Sequence, residues 1–289
     1  MYTIENELLK ATFQPRCGEL SSLINKRNGI EHIWSAKPEI WAWHAPILFP
    51  IVGGLKDDTL HAEGKTFFLS RHGFFRNSTP IVEQHTEKSI TFLLLSDAQT
   101  LEVYPYEFEF RVRFTLLENN LKQEFLVKNT DSKRIYFALG GHPAFTVPFH
   151  ENESYSDYYL EFEHAERLDR SMLSTKGLYT EETEPVLVSG NIIPLSYSLF
   201  DKDAIVFKSI ESRSVTIRSK TNSSSLKVDY NGFPYLGLWA KPKANFVCIE
   251  PWIGCADSEK GHTDIRDKEL VQDLLPGDNF SALFTISVH

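Results

Sequence analysis

Between Tyr106 and Leu116 the chain alternates without a break. Tyr106, Phe108, Phe110, Val112, Phe114 and Leu116 fall on one side, and Glu107, Glu109, Arg111, Arg113 and Thr115 on the other. A period of two is that of a β-strand with one buried and one wet face. Glu118-Asn119-Asn120 interrupts the pattern, and Leu121, Phe125 and Val127 resume it. This predicts a hairpin with a polar turn and an antiparallel partner. Shorter runs at Ile90 to Leu95, Tyr158 to Phe162, Ala204 to Phe207, Val215 to Arg218, Phe246 to Ile249 and Ala282 to Val288 are separated by Pro, Gly, Asn and Ser clusters and read as further strands. No comparably long segment carries an apolar stripe at i, i+3, i+4 and i+7. The expected fold class is therefore all-β, a large antiparallel β-sandwich or barrel. With 289 residues, no linker and no fixed-period repeat, residues 1–289 are expected to form a single domain.

Composition narrows the function classes. A net charge of -9 without a Lys/Arg run argues against a nucleic-acid surface, which needs a basic stripe, and points to a small, neutral or weakly charged ligand. Glu5 and Glu7 stand where a secretory segment would be apolar, and nowhere do eighteen apolar residues run together; a cytoplasmic protein with no membrane partner is expected. Cys17, Cys248 and Cys255 form no CxxC pair, so neither a disulfide framework nor a zinc ribbon is indicated and buried free thiols are expected. The triplets starting at Asn77, Asn152 and Asn222 match the glycosylation pattern but read as chance matches in an unsecreted chain. Nothing in the pattern specifies an oligomeric state.

Three segments carry polar groups into apolar surroundings. Leu48 to Asp57 is followed by Ser70-Arg71-His72-Gly73-Phe74-Phe75-Arg76, where glycine beside histidine lets backbone approach a ligand and the aromatics offer stacking faces. Phe137 to Phe145 ends in Gly140-Gly141-His142-Pro143, which would hold one imidazole in one place, as a general acid requires. Asn231 to Ala240 leads to Phe246-Val247-Cys248-Ile249-Glu250-Pro251-Trp252. No Lys or Arg shares that strand with Glu250, so its carboxylate is expected to face a pocket with its pKa raised by burial, which suits a general base. Read alone, His72 is better explained as a satisfied histidine in a turn and His142 equally well as one hydrogen-bonded at a strand end, while for Glu250 a salt-bridged strand end is the weaker explanation.

Taken together and in this order, FPIVG…LK with HGFFR, GGHPAF, and PYLGLW…FVCIEPW.G.AD resemble the galactose mutarotase superfamily, and within it the LacX-like branch of aldose 1-epimerase-related proteins. The resemblance spans Phe49 to Asp257 and implies a supersandwich with a sugar site in a cleft on one large concave sheet. It implies that His142 protonates the ring oxygen and Glu250 is the base at the anomeric hydroxyl, with no cofactor and no metal. It further implies that His72 and Arg76 bind the sugar, as does Asp203, taken as the family's aspartate; Trp239 or Trp252 would form a stacking wall. Where many relatives read Gly-Arg this chain reads Gly53-Gly54, and Lys56 or Arg71 is the expected substitute for the missing guanidinium. If the pocket lacks that group, Gly54→Arg is expected to raise kcat/KM. The implied function is aldose 1-epimerase, an isomerase acting by acid–base ring opening with the Glu250–His142 pair near neutrality.

Three alternatives stand beside it. Arg71, Arg76 and Lys56 would suit a hexose 6-phosphate. The loss of arginine at 54 would suit a non-catalytic carbohydrate-binding protein on the same fold. His72, His142 and Glu250 would make a two-histidine, one-carboxylate metal site on a cupin-like barrel, against which stands the absence of closely spaced His-x-His.

Overall fold

The central hairpin forms where the alternation places it, from Phe108–Leu117 and Asn120–Asn129, with Phe110 opposite Val127 and Val112 opposite Phe125. Its inward aromatics are fully buried and its charged residues half-exposed, while Gln123 and Asn129 are buried polar groups on the inward side, in a strand pair with one wet face. A computed structural model describes residues 1–261 and 264–289 of the chain, and strands outnumber helical residues by far, 47% against 6%, so the all-β class holds.

Two large antiparallel sheets make the body. One has nine strands in the order Ile192–Pro194, Tyr158–Phe162, Ser214–Ser219, Ser225–Asp229, Asn279–Val288, Asn120–Asn129, Phe108–Leu117, Ser89–Leu95 and Ile81–His85. The other runs Tyr179–Leu187, Leu168–Leu173, Ile205–Phe207, Tyr235–Trp239, Phe246–Ile253, Leu139–Gly141 and Ile47–Leu48, with Ala144–Thr146 also paired to Phe246–Ile253. A three-stranded sheet, Tyr2–Glu5, Leu9–Phe13 and Leu20–Asn25, adds to them. The one α-helix among the described residues, Ala98–Val103, is a single short piece with an Asp97 capping box.

Apolar side chains from both large sheets pack into one core, as in the Phe49–Phe110 stack with ring centroids 4.2 Å apart. Period-two alternation along the second sheet then decides what faces away from that core. Val247, Ile249 and Ile253 point into it, while Glu250 and Trp252 line a pocket on the other face. Ile205 and Phe207 likewise face the core while Val206 lines the pocket. Cys17, Cys248 and Cys255 are free and buried. No helix among the described residues is long and apolar enough to cross a membrane.

Candidate active site

The pocket has a volume of about 190 Å³. This is below the roughly 300–1,000 Å³ usual for drug-sized ligands and suits a single sugar ring. Gly140-Gly141 ends a strand at its floor because side chains would not fit: a Cβ on Gly140 would lie 2.7 Å from Trp252 Cδ1, and one on Gly141 2.7 Å from Phe284 Cε1. His142 follows, fixed by Pro143, and its Nε2 lies 3.2 Å from Glu250 Oε2. Neither Glu250 Oε2 nor His142 Nδ1 has a hydrogen-bond partner, so the pair is in contact but not aligned as a bond. Both atoms are sealed from solvent, with Glu250 1% and His142 9% exposed.

Burial dominates the titration of both groups and drives them apart. Glu250 is held well above the usual carboxylate range by desolvation and then by the Asp203 charge. Trp252 opposes this, but too weakly aligned to bond, since its Nε1 has no hydrogen-bond partner. His142 is pushed down to about 3 by desolvation, with Arg76 acting the same way. The expectation of a pair near neutrality rested on partial desolvation, whereas here burial moves the two groups in opposite directions. Because neither charge is solvated, burial favours the protonated carboxyl and the neutral imidazole.

His72 enters from a strained turn. Its φ is +66°, a region that L residues seldom adopt, and a Cβ on the next residue, Gly73, would lie 2.3 Å from the Phe49 carbonyl oxygen. Gly53 N–H donates to His72 Nδ1 at 3.1 Å, and His72 N–H donates to the Gly53 carbonyl at 2.9 Å. With Nδ1 accepting, the proton of the neutral imidazole belongs on Nε2. Burial, then His142, Arg76 and Arg71, hold His72 well below its ordinary pKa.

Arg71 and Arg76 line the pocket, and neither pairs with a carboxylate among the described residues. Arg76 Nε is buried without a partner, and its guanidinium lies 5.7 Å from the Trp43 ring centroid. Arg71 Nη2 donates to the Lys176 carbonyl at 2.7 Å. A Cβ on Gly177 would lie 1.9 Å from Nη2 and one on Gly54 3.7 Å from Nε, so the guanidinium sits in a slot between two glycines.

Of the residues singled out in the sequence, His72, His142, Glu250, Arg71, Arg76, Asp203, Trp239 and Trp252 line the pocket; Lys56 does not. Its Nζ donates to the Glu259 carbonyl and its N–H to Asp257, so the chain holds it on the loop rather than in the cavity. Trp41 was missed, although it stacks on His142 at 5.2 Å and 28°; the aromatic-beside-histidine pattern of Trp41-Ala42-Trp43-His44 was the available signal. Tyr179 and Leu173 also line the pocket and carried no signal, since strand pairing alone brings them there.

Donor atoms of His142, Cys248 and Glu250 lie within 4.8 Å of one another, so the metal donors that the fold groups differ from the expected set, with Cys248 in place of His72. Cys248 does not line the pocket, and burial and Glu250 keep its thiol protonated, a poor donor state for a metal. A larger depression of about 670 Å³ lies elsewhere; Glu124 and Arg213 are the charged groups lining it.

The fold and the buried Glu–His pair are placed by comparison with known proteins. The aldose 1-epimerase family profile matches residues 1–262, and the chain belongs to that family. It is 37% identical over 294 residues to the chromosomal protein LacX of Lactococcus lactis subsp. lactis, covering 99% of this chain and 98% of that protein. Among solved structures, a galactose mutarotase related enzyme from Lactobacillus acidophilus superposes with a TM-score of 0.94 at 37% identity, covering 100% of this chain and 97% of that one. A galactose mutarotase-like protein from Lactobacillus casei gives 0.93 at 33%, covering 100% of both. A putative aldose 1-epimerase from Escherichia coli, 14% identical with a TM-score of 0.77 over 100% of this chain and 98% of that one, shares the fold.

Proposed function

We propose that this chain exchanges the α and β anomers of a sugar by opening and reclosing its ring. The observation that carries the reading is the 3.2 Å approach of His142 Nε2 to Glu250 Oε2 on the pocket floor. Ring opening removes a proton from the C1 hydroxyl and delivers one to the ring oxygen as the bond between C1 and that oxygen breaks. A carboxylate beside an imidazolium does both. The same single proton can instead sit on the carboxyl beside a neutral imidazole, so the two forms are one protonation state of a coupled pair. Glu250 takes the C1 proton while His142 gives its own to the ring oxygen, leaving carboxyl and neutral imidazole beside the open chain. After rotation about C1–C2 both transfers reverse. The form that burial favours is thus the one that the open-chain state requires. Each positioned transfer contributes roughly 10²–10⁴-fold.

Asp203, across from the cations, suits binding of sugar hydroxyls, and Trp239 and Trp252 suit stacking on the ring. A second reading, that the sugar carries a phosphate, is supported by Arg71, Arg76 and the Nε2–H of His72, which present only donors and no partnered carboxylate. Exchange NMR or polarimetry across free and phosphorylated aldoses tests both. Acceleration with either class, lost in Glu250→Gln and His142→Asn, is expected. Tight sugar binding with no acceleration on any sugar would make the chain a binding protein instead.

A further inference from the structure

His142 must carry a positive charge in one half of this cycle, yet most of what surrounds it resists that charge. The strand Phe246–Ile253 places Glu250 and the Cys248 thiol beside it. The segment from His72 to Arg76 places a neutral imidazole at 5.7 Å between ring centroids and a guanidinium whose charge disfavours protonation. Asp203 acts on Glu250 from the loop before Ile205–Phe207. Besides the Glu250 carboxylate and the His142 backbone, which raises the ring's pKa, a π face favours an imidazolium. Trp41 lies 5.2 Å from the His142 centroid at an interplanar angle of 28°, whereas Trp239 meets the ring at 80°. A cation over an indole face is attracted most strongly where water is excluded.

The Trp41 loop is built to hold this face in place. Trp34 Nε1 donates to the Trp41 carbonyl at 3.0 Å, Trp41 N–H donates to Lys37 at 2.9 Å, and Trp41 also stacks on Phe246 at 5.5 Å and 21°. The buried Glu19 carboxylate accepts from His44 and Ala45 N–H, closing the far end of the loop. Resting on the acid–base reading above, we infer that Trp41 is a positioning residue that orients the His142 ring and favours its protonated form during the reaction.

Trp41→Leu keeps bulk and removes the π face, while Trp41→Phe keeps a weaker one. The expected result for Trp41→Leu is a kcat lowered about tenfold and a kcat–pH profile moved toward acid by about one unit, with KM little changed and Trp41→Phe in between. A fall in kcat with the profile unmoved in both variants would reduce Trp41 to packing. A raised KM with kcat and profile intact would make it a wall for the sugar; either result overturns the inference. If the wild type turned over no sugar, the acid–base reading would fail by itself. The ring-nitrogen NMR signals of His142 across a pH series would still test Trp41, with an unshifted titration in Trp41→Leu counting against it.

Discussion

On the proposed mechanism, Glu250 serves chemistry at the expense of stability. A carboxyl whose folded pKa is raised stays protonated after the unfolded chain has ionised, so its contribution is present at acid pH and lost as pH rises past its ordinary value. Glu250→Gln is therefore expected to raise Tm at pH 7–8 relative to wild type, while lowering kcat about a hundredfold or more and leaving sugar binding largely intact. Calorimetry and exchange NMR on one preparation read both, and a variant that loses neither activity nor gains stability would contradict the burial argument. At Gly54 the condition of the earlier expectation is not met, because Arg71 lines the pocket. Arg71 Nε already lies 3.7 Å from where a Cβ would stand, so Gly54→Arg brings two guanidiniums into one slot and is expected to raise KM rather than improve kcat/KM. Histidine, glutamate and arginine were legible here because polar groups stood out against Phe, Gly and Pro. Trp41 carried only the local signal of Trp41-Ala42-Trp43-His44, because its partner His142 is a hundred residues away and only the fold joins them.

Among the elements, the loop from Gly53 to Lys56 is what strand pairing alone does not hold. Asp257 fixes it: its N–H donates to the Gly54 carbonyl at 2.9 Å, and its Oδ2 accepts from Lys56 N–H at 3.0 Å. Lys268 Nζ contacts the remaining oxygen, with both side chains buried. Removing one partner of a buried pair leaves an uncompensated charge, at a cost of about 3–5 kcal/mol. Asp257→Leu is expected to lose stability of that order in denaturant melts, and to weaken His72 function because Gly53 anchors Nδ1; Asp257→Leu with Lys268→Met should restore most of the stability but not the loop. Equal stability of the single and double variants would show that the pair carries no such penalty. The hairpin and most strands were readable because alternation reports one-sided burial directly. The order of strands in the two sheets, and the turn that swings His72 onto the pocket at φ +66°, depend on contacts between distant segments that no local period records.

For the molecule as a whole, buried histidines with depressed pKa values are expected to set the acid limit of folding. His32 is fully enclosed, edge-on to Phe149 at 5.0 Å, and neither ring nitrogen has a hydrogen-bond partner. Desolvation, with His150 adding to it, holds its pKa down to about 4 from 6.5; His142 and His72 are depressed in the same direction. Between those values the unfolded chain binds a proton that the folded chain refuses, so stability is complete above about pH 6.5 and falls as pH drops toward 4. For His32 alone the full difference is about 3 kcal/mol. His142 and His72 line the pocket, where substitution is also expected to change activity, so His32 is the site at which the effect is separable from the proposed catalysis. His32→Leu sacrifices no hydrogen bond and removes the titrating group. It is expected to leave stability at pH 8 nearly unchanged and to flatten the loss between pH 6.5 and 4, measured as denaturant midpoints across that range. A variant whose midpoints fall as steeply as the wild type's would assign the acid limit to the pocket histidines instead.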